Sequence, residues 1–179
     1  MSEYVTRAIV LGFRDSKEHD KVFDLYTESF GRIRVRAPGG RKIVSKLSPH
    51  LDVMNLATVK VVEKNALTLT DAILENNFQS LKSNPVSFGK ALRALRALSF
   101  LSPEAVPDQT LWNFLLDSLG AGTMNPVEMV SVLGYDPRHA SCELCGGKDV
   151  AFFDEGNQGF LCEPCSSKVK GNHLLYLER

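Results

Sequence analysis

The sequence lacks any run of roughly 18 consecutive apolar residues, the length that a membrane-spanning helix requires. Its first residues place an acid before a base and contain no long apolar segment, so no secretory signal is predicted. We therefore expect a cytoplasmic protein without membrane contact. Cysteine is also scarce, with four residues in 179. In a cytoplasmic chain, that small number favours metal or redox chemistry over structural disulfides.

Catalytic signatures are missing as well. No G-x-S-x-G, H-E-x-x-H or G-x-x-x-x-G-K-[ST] motif occurs. Pro38-Gly39-Gly40-Arg41-Lys42 resembles a phosphate loop, but it lacks the spacing and the hydroxyl residue that should follow. His19 lies between Glu18 and Asp20, an arrangement more typical of a solvated turn than of an acid–base site. The sequence therefore predicts a protein that is not an enzyme and has no small-molecule substrate.

The chain has no net charge, because 21 Lys and Arg residues balance 21 Asp and Glu residues. This balance conceals an asymmetry along the chain. Residues 1–50 contain ten basic and six acidic residues, which gives them a charge of +4, and the remainder carries −4. A basic N-terminal part favours a polyanionic partner.

The basic residues concentrate in residues 31–50, which contain no acid. Three arginines alternate there with Ile33, Val35 and Ala37, and a strand sends alternate side chains to opposite faces. One face would carry the guanidiniums while the other feeds a core. The stretch is either a solvated strand face with a basic loop or a surface that follows a nucleic-acid backbone. The candidate nucleic-acid-binding residues are Arg32, Arg34 and Arg36 on the strand, Arg41, Lys42 and Lys46 on the loop, and Arg14.

Five segments near the N-terminus have the composition of strands and are separated by turn signals: residues 4–13, 21–30, 32–37, 51–62 and 66–74. Five short strands predict a small barrel, and a five-stranded OB (oligonucleotide/oligosaccharide-binding) barrel is the economical choice. Strand count alone leaves an SH3-like barrel or an open meander as alternatives.

Helical periodicity follows the predicted strands. Residues 85–101 repeat apolar side chains at intervals of three and four, and Asp108 can cap a helix over residues 110–119. Asn125-Pro126 can begin a short helix that ends before Gly134. These apolar stripes, with Trp112, are predicted to form core. The predicted fold class is α+β, with the strands preceding the helices.

The most specific motif is a pair of C-x-x-C sequences separated by sixteen residues, Cys142 with Cys145 and Cys162 with Cys165. This spacing is typical of a zinc ribbon, in which two tight turns direct four thiolates at one ion and a hairpin joins the turns. Four cysteine ligands leave no open coordination position, so the predicted Zn²⁺ is structural. The alternatives are a site that cycles by oxidation and a site for another metal. His139 and His173 flank the cluster. Either could replace a cysteine as a ligand, but positions at the surface or behind the ligands are expected.

Together these motifs resemble the RecO family of bacterial recombination mediators. The N-terminal part of the resemblance comprises residues 8–11, Ser16 to Asp20, Leu25 to Glu28, Gly31 to Val35, Ala37, Gly39 to Arg41, Ser45 to Ser48 and Leu51. The second part comprises Leu133 to Pro137, Cys142 to Gly146 and Gly159 to Cys165. The family often has Lys where this chain has Pro38, and it usually continues with helical sequence beyond the position of Arg179. We therefore expect one phosphate contact and part of the helical surface to be absent.

The resemblance implies an OB-fold DNA-binding domain over residues 1–78 and a helical domain over residues 79–179, with a zinc module at about 138–170. It implies binding of single- and double-stranded DNA, annealing of complementary strands, and help in loading a recombinase onto protein-coated DNA. The implied partners are RecR and the single-stranded-DNA-binding protein, and the implied location is the cytoplasm, in association with the nucleoid. Two other hypotheses fit the residues alone: a zinc-containing protein-interaction adaptor, and an RNA-binding protein with an OB fold and a zinc ribbon.

Overall fold

A computed structural model describes residues 2–16, 20–38, 47–169 and 173–177. The chain forms two compact units, one made of residues 1–80 with 102–117 and the other of residues 81–101 with 118–179. The predicted boundary after residue 78 stays a prediction. In the described part of the chain, no helix has the length and apolar character needed to cross a membrane.

Five strands form the first unit: β1 (Ser2–Asp15), β2 (Lys21–Thr27), β3 (Gly31–Ala37), β4 (Leu56–Glu63) and β5 (Leu67–Asn76). They close into a barrel in the order β1-β2-β3-β5-β4, with β4 pairing back onto β1. Strands β3 and β5 run parallel, and the other neighbouring pairs are antiparallel. The predicted fold class, a five-stranded OB-like barrel that precedes helices and a cysteine module, is confirmed.

The alternation predicted for β3 is what places this strand in the barrel wall. Ile33, Val35 and Ala37 are buried, whereas Arg34 and Arg36 are exposed. The apolar residues join a core contributed by all five strands and by the connection between β3 and β4, including Ala8, Val10, Phe23, Leu25, Leu47, Leu51, Ala57, Val59, Val61 and Leu69. Burial of about 25 cal/mol per Å² of apolar surface makes this core the main source of barrel stability.

Two strands are shorter than the sequence predicts. β2 ends at Thr27 because its hydroxyl accepts a hydrogen bond from the Phe30 N–H and donates to the Gly31 carbonyl, which closes a turn. β4 begins at Leu56 because Met54 adopts a positive φ of 76°. The predicted strand over residues 51–62 is therefore wrong for its first five residues.

The helices that follow the barrel are α1 (Gln79–Lys82), α2 (Pro85–Leu101), α3 (Gln109–Ala121) and α4 (Pro126–Val132). The last three agree closely with those that the sequence predicts, whereas the short helix α1 was not predicted. Asp108 accepts a hydrogen bond from the Leu111 N–H at 3.0 Å, and Asn125 caps α4 through the Glu128 N–H at 2.9 Å. In the second unit, α2 packs against α4. In the first, Trp112 is buried and its ring lies parallel to the Tyr26 ring at a centroid distance of 6.5 Å.

The cysteine-rich end of the second unit contains the predicted hairpin and one strand that the sequence did not predict. The hairpin is β6 (Phe152–Asp154) with β7 (Gly159–Leu161), and a short helix, α5 (Glu163–Ser166), follows it. The added strand, β8 (Leu174–Tyr176), pairs with the other edge of β6. Three short strands therefore form a small sheet in the order β7-β6-β8.

Gly31 allows the backbone of Val106 and Pro107, which belong to the first unit, to lie directly against the start of β3. Its φ is +64°, a left-handed value that suits glycine. A Cβ at this position would lie 2.1 Å from the carbonyl oxygen of Val106. The backbone contact therefore requires a residue without a side chain at the first position of β3.

We predict that Gly31→Ala lowers the free energy of unfolding by at least about 2 kcal/mol, because the variant combines left-handed strain with a backbone clash. Urea denaturation followed by circular dichroism measures the effect. Gly120→Ala is the matched control. Gly120 lies inside α3 with nothing within 4 Å of its Cβ position, so the control should be neutral or stabilising by about 0.5–1 kcal/mol. Equal effects of the two substitutions would contradict this explanation.

Glu155 is a buried carboxylate in the second unit. It is 1% exposed, and neither side-chain oxygen accepts a hydrogen bond within the described residues. The nearest guanidinium nitrogen, Nη2 of Arg96, lies 3.6 Å away. Removal from water raises the pKa of Glu155 above its usual value, and the positive charges of Arg96 and His173 oppose this shift only in part.

This raised pKa predicts a pH-dependent difference between the parent and Glu155→Gln. At pH values below the ordinary carboxyl pKa the group is protonated in both the folded and unfolded states, so it contributes no penalty. As pH rises toward the raised folded pKa, the unfolded state loses its proton first and the parent loses stability. At pH 7 the variant should be more stable than the parent by roughly 1 kcal/mol. Thermal denaturation at pH 4 and pH 7 measures both differences.

The exposed Glu128 provides the control for this prediction. Glu128→Gln should not gain stability at pH 7, because its carboxylate is solvated in the first turn of α4. A Glu155→Gln protein that is less stable than the parent at pH 7 would show that the Arg96 interaction outweighs the cost of burial.

Candidate nucleic-acid interface and metal centre

Arg32, the first arginine of β3, is a buried structural residue. Its side chain is 8% exposed and forms a two-point ion pair with Asp24 of β2, with Nη2 and Oδ2 separated by 2.8 Å and Nε and Oδ1 by 3.0 Å. Its Nη1 donates to the Ser102 carbonyl at 3.3 Å. The guanidinium therefore joins two neighbouring strands and a connecting segment.

The burial of Arg32 decides whether a phosphate can recruit it. Removing one partner from a buried ion pair typically costs about 3–5 kcal/mol, because the remaining charge is left without compensation. A phosphate that took the place of Asp24 would have to offset that cost. Arg32 was predicted to bind nucleic acid on the same face as Arg34 and Arg36, and in this structure it does not share their exposure.

The other two arginines of β3 are half-exposed, and each contacts an acid. Arg34 and Glu104 are 2.7 Å apart, with side chains 47% and 53% exposed. Arg36 pairs with Asp20, whose carboxylate is buried although the Arg36 side chain is 54% exposed. An exposed ion pair contributes only about 0–1 kcal/mol, so a phosphate can displace Glu104 from Arg34 at little cost. Arg36 can keep Asp20 and use its remaining N–H donors outward.

The segment from Ser102 to Pro107 lies alongside β3 and places Glu104 next to this strand. The Ala105 N–H donates to the Arg32 carbonyl at 2.8 Å, and Arg32 forms a parallel bridge with Glu104. This places an acidic side chain along the basic strand at the position where a phosphate would bind. The Arg34 guanidinium is therefore already neutralised in the protein alone.

The remaining predicted residues are distributed around this strand. Arg14 is exposed near the end of β1, where it is opposite Val22 of β2. Arg41, Lys42 and Lys46 lie outside the described residues, so their predicted role stays a prediction. The sequence did not indicate that Asp24 and Glu104 lie beside these arginines, and Asp20 was named only as a neighbour of His19 and in the family resemblance. The register of β2 and β3 places Asp24 opposite Arg34, although its carboxylate pairs with Arg32. Nothing local in the sequence places Glu104 near Arg34.

The four cysteines come together at two tight turns. In the first, the Gly146 N–H donates to the Cys142 carbonyl at 2.7 Å, and Gly146 has a φ of +72°. In the second, Cys162 precedes α5, and its carbonyl accepts the Cys165 N–H at 3.1 Å. The β6–β7 hairpin connects the turns, and the Glu143 N–H donates to the Phe160 carbonyl at 3.0 Å, so the first turn is hydrogen-bonded to β7.

The arrangement of the sulfurs fits a tetrahedral metal site. All four Sγ atoms lie within 4.8 Å of one another, and those of Cys145 and Cys162 are 3.7 Å apart. An ion bound to four sulfurs at about 2.3 Å would hold them about 3.8 Å apart. Neither His139 nor His173 belongs to the cluster. The His173 ring instead packs against the Phe100 ring at a centroid distance of 5.8 Å.

The protonation of the thiols explains why the cluster suits a cation. The backbone N–H of Cys162 is directed at the sulfur of Cys142 and lowers the pKa of Cys142 to about 6. The neighbouring thiol of Cys162 raises the pKa of Cys165 to about 12. Four thiols at this separation cannot all ionise, because each thiolate opposes the next. A divalent cation removes that opposition, so these residues can bind a metal ion.

We predict that Cys145→Ser abolishes the binding of one metal ion per chain, because three thiolates leave the tetrahedron open. Native mass spectrometry of the purified protein measures the bound mass. Leu144→Ser is the matched control, since Leu144 is exposed in the same turn and supplies no ligand. Retention of the ion by Cys145→Ser, or its loss from Leu144→Ser, would contradict the assignment of these ligands.

Known proteins resemble this chain both in the barrel and in the part that contains the helices and the cysteine cluster. Residues 1–78 match the protein family described as "Recombination protein O N terminal". Three relatives carry the name "DNA repair protein RecO". The relative from Myxococcus xanthus is 27% identical, over 95% of this chain and 75% of its own length. The relative from Caldanaerobacter subterraneus subsp. tengcongensis is 26% identical, over 95% and 74%. The relative from Bacillus pumilus is 29% identical, over 91% and 68%.

These matches agree with the arrangement of the molecule. The family match coincides with the five-stranded barrel, and the relatives align across the barrel, the helices and the cysteine cluster. The resemblance seen in the sequence is therefore confirmed: the barrel matches the N-terminal RecO family model, and proteins named DNA repair protein RecO align with almost the whole chain.

Proposed function

We propose that this protein binds single- and double-stranded DNA through β3 of the barrel, anneals complementary strands and assists the loading of a recombinase onto protein-coated single strands. The observation that carries the DNA-binding step is the half-exposed pair Arg34 and Arg36 on one strand of an OB-like barrel. Annealing and loading rest on the similarity to RecO proteins. The proposed activity is not enzymatic, because no bond is made or broken.

Binding would proceed by exchange of ionic partners. A phosphate would take the place of Glu104 beside Arg34, while Arg36 would contact a phosphate without leaving Asp20. The predicted loop residues Arg41, Lys42 and Lys46 would add contacts, as would Arg14. Six such contacts to a single strand give a log–log salt slope of about −4, at roughly −0.7 per contact. Neutralised phosphates repel each other less, which would allow two strands to approach and pair.

The exchange of partners predicts opposite effects for the two members of the exposed ion pair. Arg34→Gln should weaken binding of a single-stranded 20-mer and make the salt slope shallower by about 0.7. Glu104→Gln should strengthen binding by roughly two- to fivefold at low salt, because the phosphate no longer competes with a carboxylate. Fluorescence anisotropy at several salt concentrations measures both variants.

Asp136→Asn provides the control, since Asp136 pairs with Arg138 at 2.7 Å in the second unit. This substitution also removes one negative charge, and it should leave DNA affinity within twofold of the parent. Weaker binding by Glu104→Gln would contradict the exchange of partners, because it would mean that Glu104 positions Arg34 for DNA.

We propose that the ion in the cysteine cluster is Zn²⁺ with a structural role. The four-sulfur donor set and the tetrahedral spacing support zinc, and four protein ligands leave no position for a substrate. The cysteines would hold the two turns and the β6–β7 hairpin together. RecR and the single-stranded-DNA-binding protein are proposed as partners on the similarity to RecO proteins alone. A nucleoid location would accompany the DNA-binding role.

A comparison of DNA and RNA distinguishes the proposal from an RNA-binding role. The protein should bind DNA at least as tightly as RNA of the same sequence at matched salt, and it should accelerate annealing of complementary DNA strands. A clear preference for RNA, or salt-independent binding, would overturn the proposed function.

A further inference from the structure

The first unit contains an apolar pocket that the phosphate contacts do not use. Its volume is about 180 Å³, below the roughly 300–1,000 Å³ of pockets for drug-sized ligands, so it suits a single ring system. Its walls come from β1, the β2–β3 turn, β3, β4, the start of β5 and the segment beside β3. The lining residues are Tyr4, Thr6, Phe30, Ile33, Val61, Glu63, Leu67 and Ala105.

Two aromatic rings and one carboxylate give the pocket its chemical character. The Tyr4 and Phe30 rings meet edge to face at a centroid distance of 5.1 Å. Both residues are half-buried, so part of each ring remains accessible. The Tyr4 hydroxyl donates to Oε2 of Glu63 at 3.1 Å, which orients the carboxylate. A planar ring with N–H donors on one edge would satisfy these groups, because it can contact the rings and donate to Glu63.

The position of the pocket connects it to the proposed DNA-binding strand. Ile33 and Ala105 line the pocket, and they directly neighbour Arg34 and Glu104, the exposed ion pair. Ile33 and Arg34 face opposite sides of β3, so a base in the pocket and a phosphate on Arg34 would belong to different nucleotides of one DNA strand. An unpaired base of a strand that contacts Arg34 is therefore a planar ring that can reach the pocket.

We propose that this pocket receives one unpaired base of single-stranded DNA and favours guanine. The proposal rests on the DNA-binding function proposed above. The Watson–Crick edge of guanine offers two adjacent donors, N1–H and N2–H, which match the two oxygens of a carboxylate. Adenine and cytosine offer only their amino group there. Thymine offers one N–H between two carbonyl oxygens, and these oxygens repel the carboxylate of Glu63.

The test compares 20-mers of thymine, of thymine with isolated guanines, and of the same sequence with hypoxanthine in place of guanine. The full chain should bind the guanine 20-mer about fivefold more tightly than the thymine 20-mer, at the lower end of discrimination by two-point base contacts. Hypoxanthine lacks the N2 amino group, so its 20-mer should lose most of this preference. Anisotropy at one fixed salt concentration measures all three affinities.

Glu63→Gln should abolish the preference for guanine while leaving affinity for the thymine 20-mer within about twofold. Glu3→Gln is the matched control, because it removes an exposed carboxylate of β1 that pairs with Lys60 and does not line the pocket. The control should keep the preference. Tyr4→Phe should also keep it, because the ring remains and both oxygens of Glu63 become available.

The outcomes separate this inference from the function on which it rests. Equal affinity of the parent for all three 20-mers would overturn the pocket assignment and leave DNA binding intact. Failure of every 20-mer to bind at low salt would overturn the proposed function. In that case, NMR titration with guanosine monophosphate tests whether the pocket binds guanine. Shifts at Phe30 and Leu67 that Glu63→Gln removes would support the inference, and unchanged spectra would overturn it.

Discussion

The buried ion pair between Arg32 and Asp24 is the constraint on which the arrangement of the first unit depends. Two charges removed from water must satisfy each other, so β2 and β3 are held in one register. The same guanidinium reaches the Ser102 carbonyl, while the Arg32 carbonyl accepts the Ala105 N–H. One residue thereby fixes both the strand pair and the segment that carries Glu104. Gly31 permits the close backbone approach that this arrangement needs.

That constraint divides three arginines of similar appearance into two kinds. Arg32 contributes to the fold through its ion pair, so a ligand would have to compete with Asp24 for its charge. Arg34 and Arg36 keep half of their side chains in water, and their acidic partners hold them less strongly or leave donors unused. In the folded protein, the basic strand therefore leaves fewer of its guanidiniums accessible to an anion than its sequence indicates. The acids along it reduce its attraction for anions in general, since Asp20, Asp24 and Glu104 each neutralise one of its arginines.

The sequence predicts features that depend on local chemistry. Alternation along β3 placed Ile33 and Val35 in the core, because the period of a strand is fixed by backbone geometry. The spacing of the cysteines predicted their convergence, since two turns and a hairpin are all that the cluster requires. The N-caps at Asp108 and Asn125 were readable for the same reason.

Features that depend on residues far apart in the sequence were not predictable from single patterns. The burial of Arg32 follows from its contacts with β2 and with residues 102–105, about seventy residues along the chain. The pairing of Arg34 with Glu104 has the same origin. β8 escaped prediction because three residues carry too little periodicity to distinguish a strand from a loop. The loop residues Arg41, Lys42 and Lys46 lie outside the described residues, and their role stays a prediction.

Arg32 is held in the fold by Asp24, whereas Arg34 and Arg36 are exposed, and side-chain NMR tests this difference directly. The Nε–H signals of Arg32, Arg34 and Arg36 can be followed while single-stranded DNA is added to the full chain at low salt. The Arg34 and Arg36 signals should shift progressively with DNA, while the Arg32 signal keeps the position set by its pairing with Asp24. A shift at Arg32 as large as that at Arg34, or no shift at Arg34 and Arg36 despite DNA binding, would contradict the account.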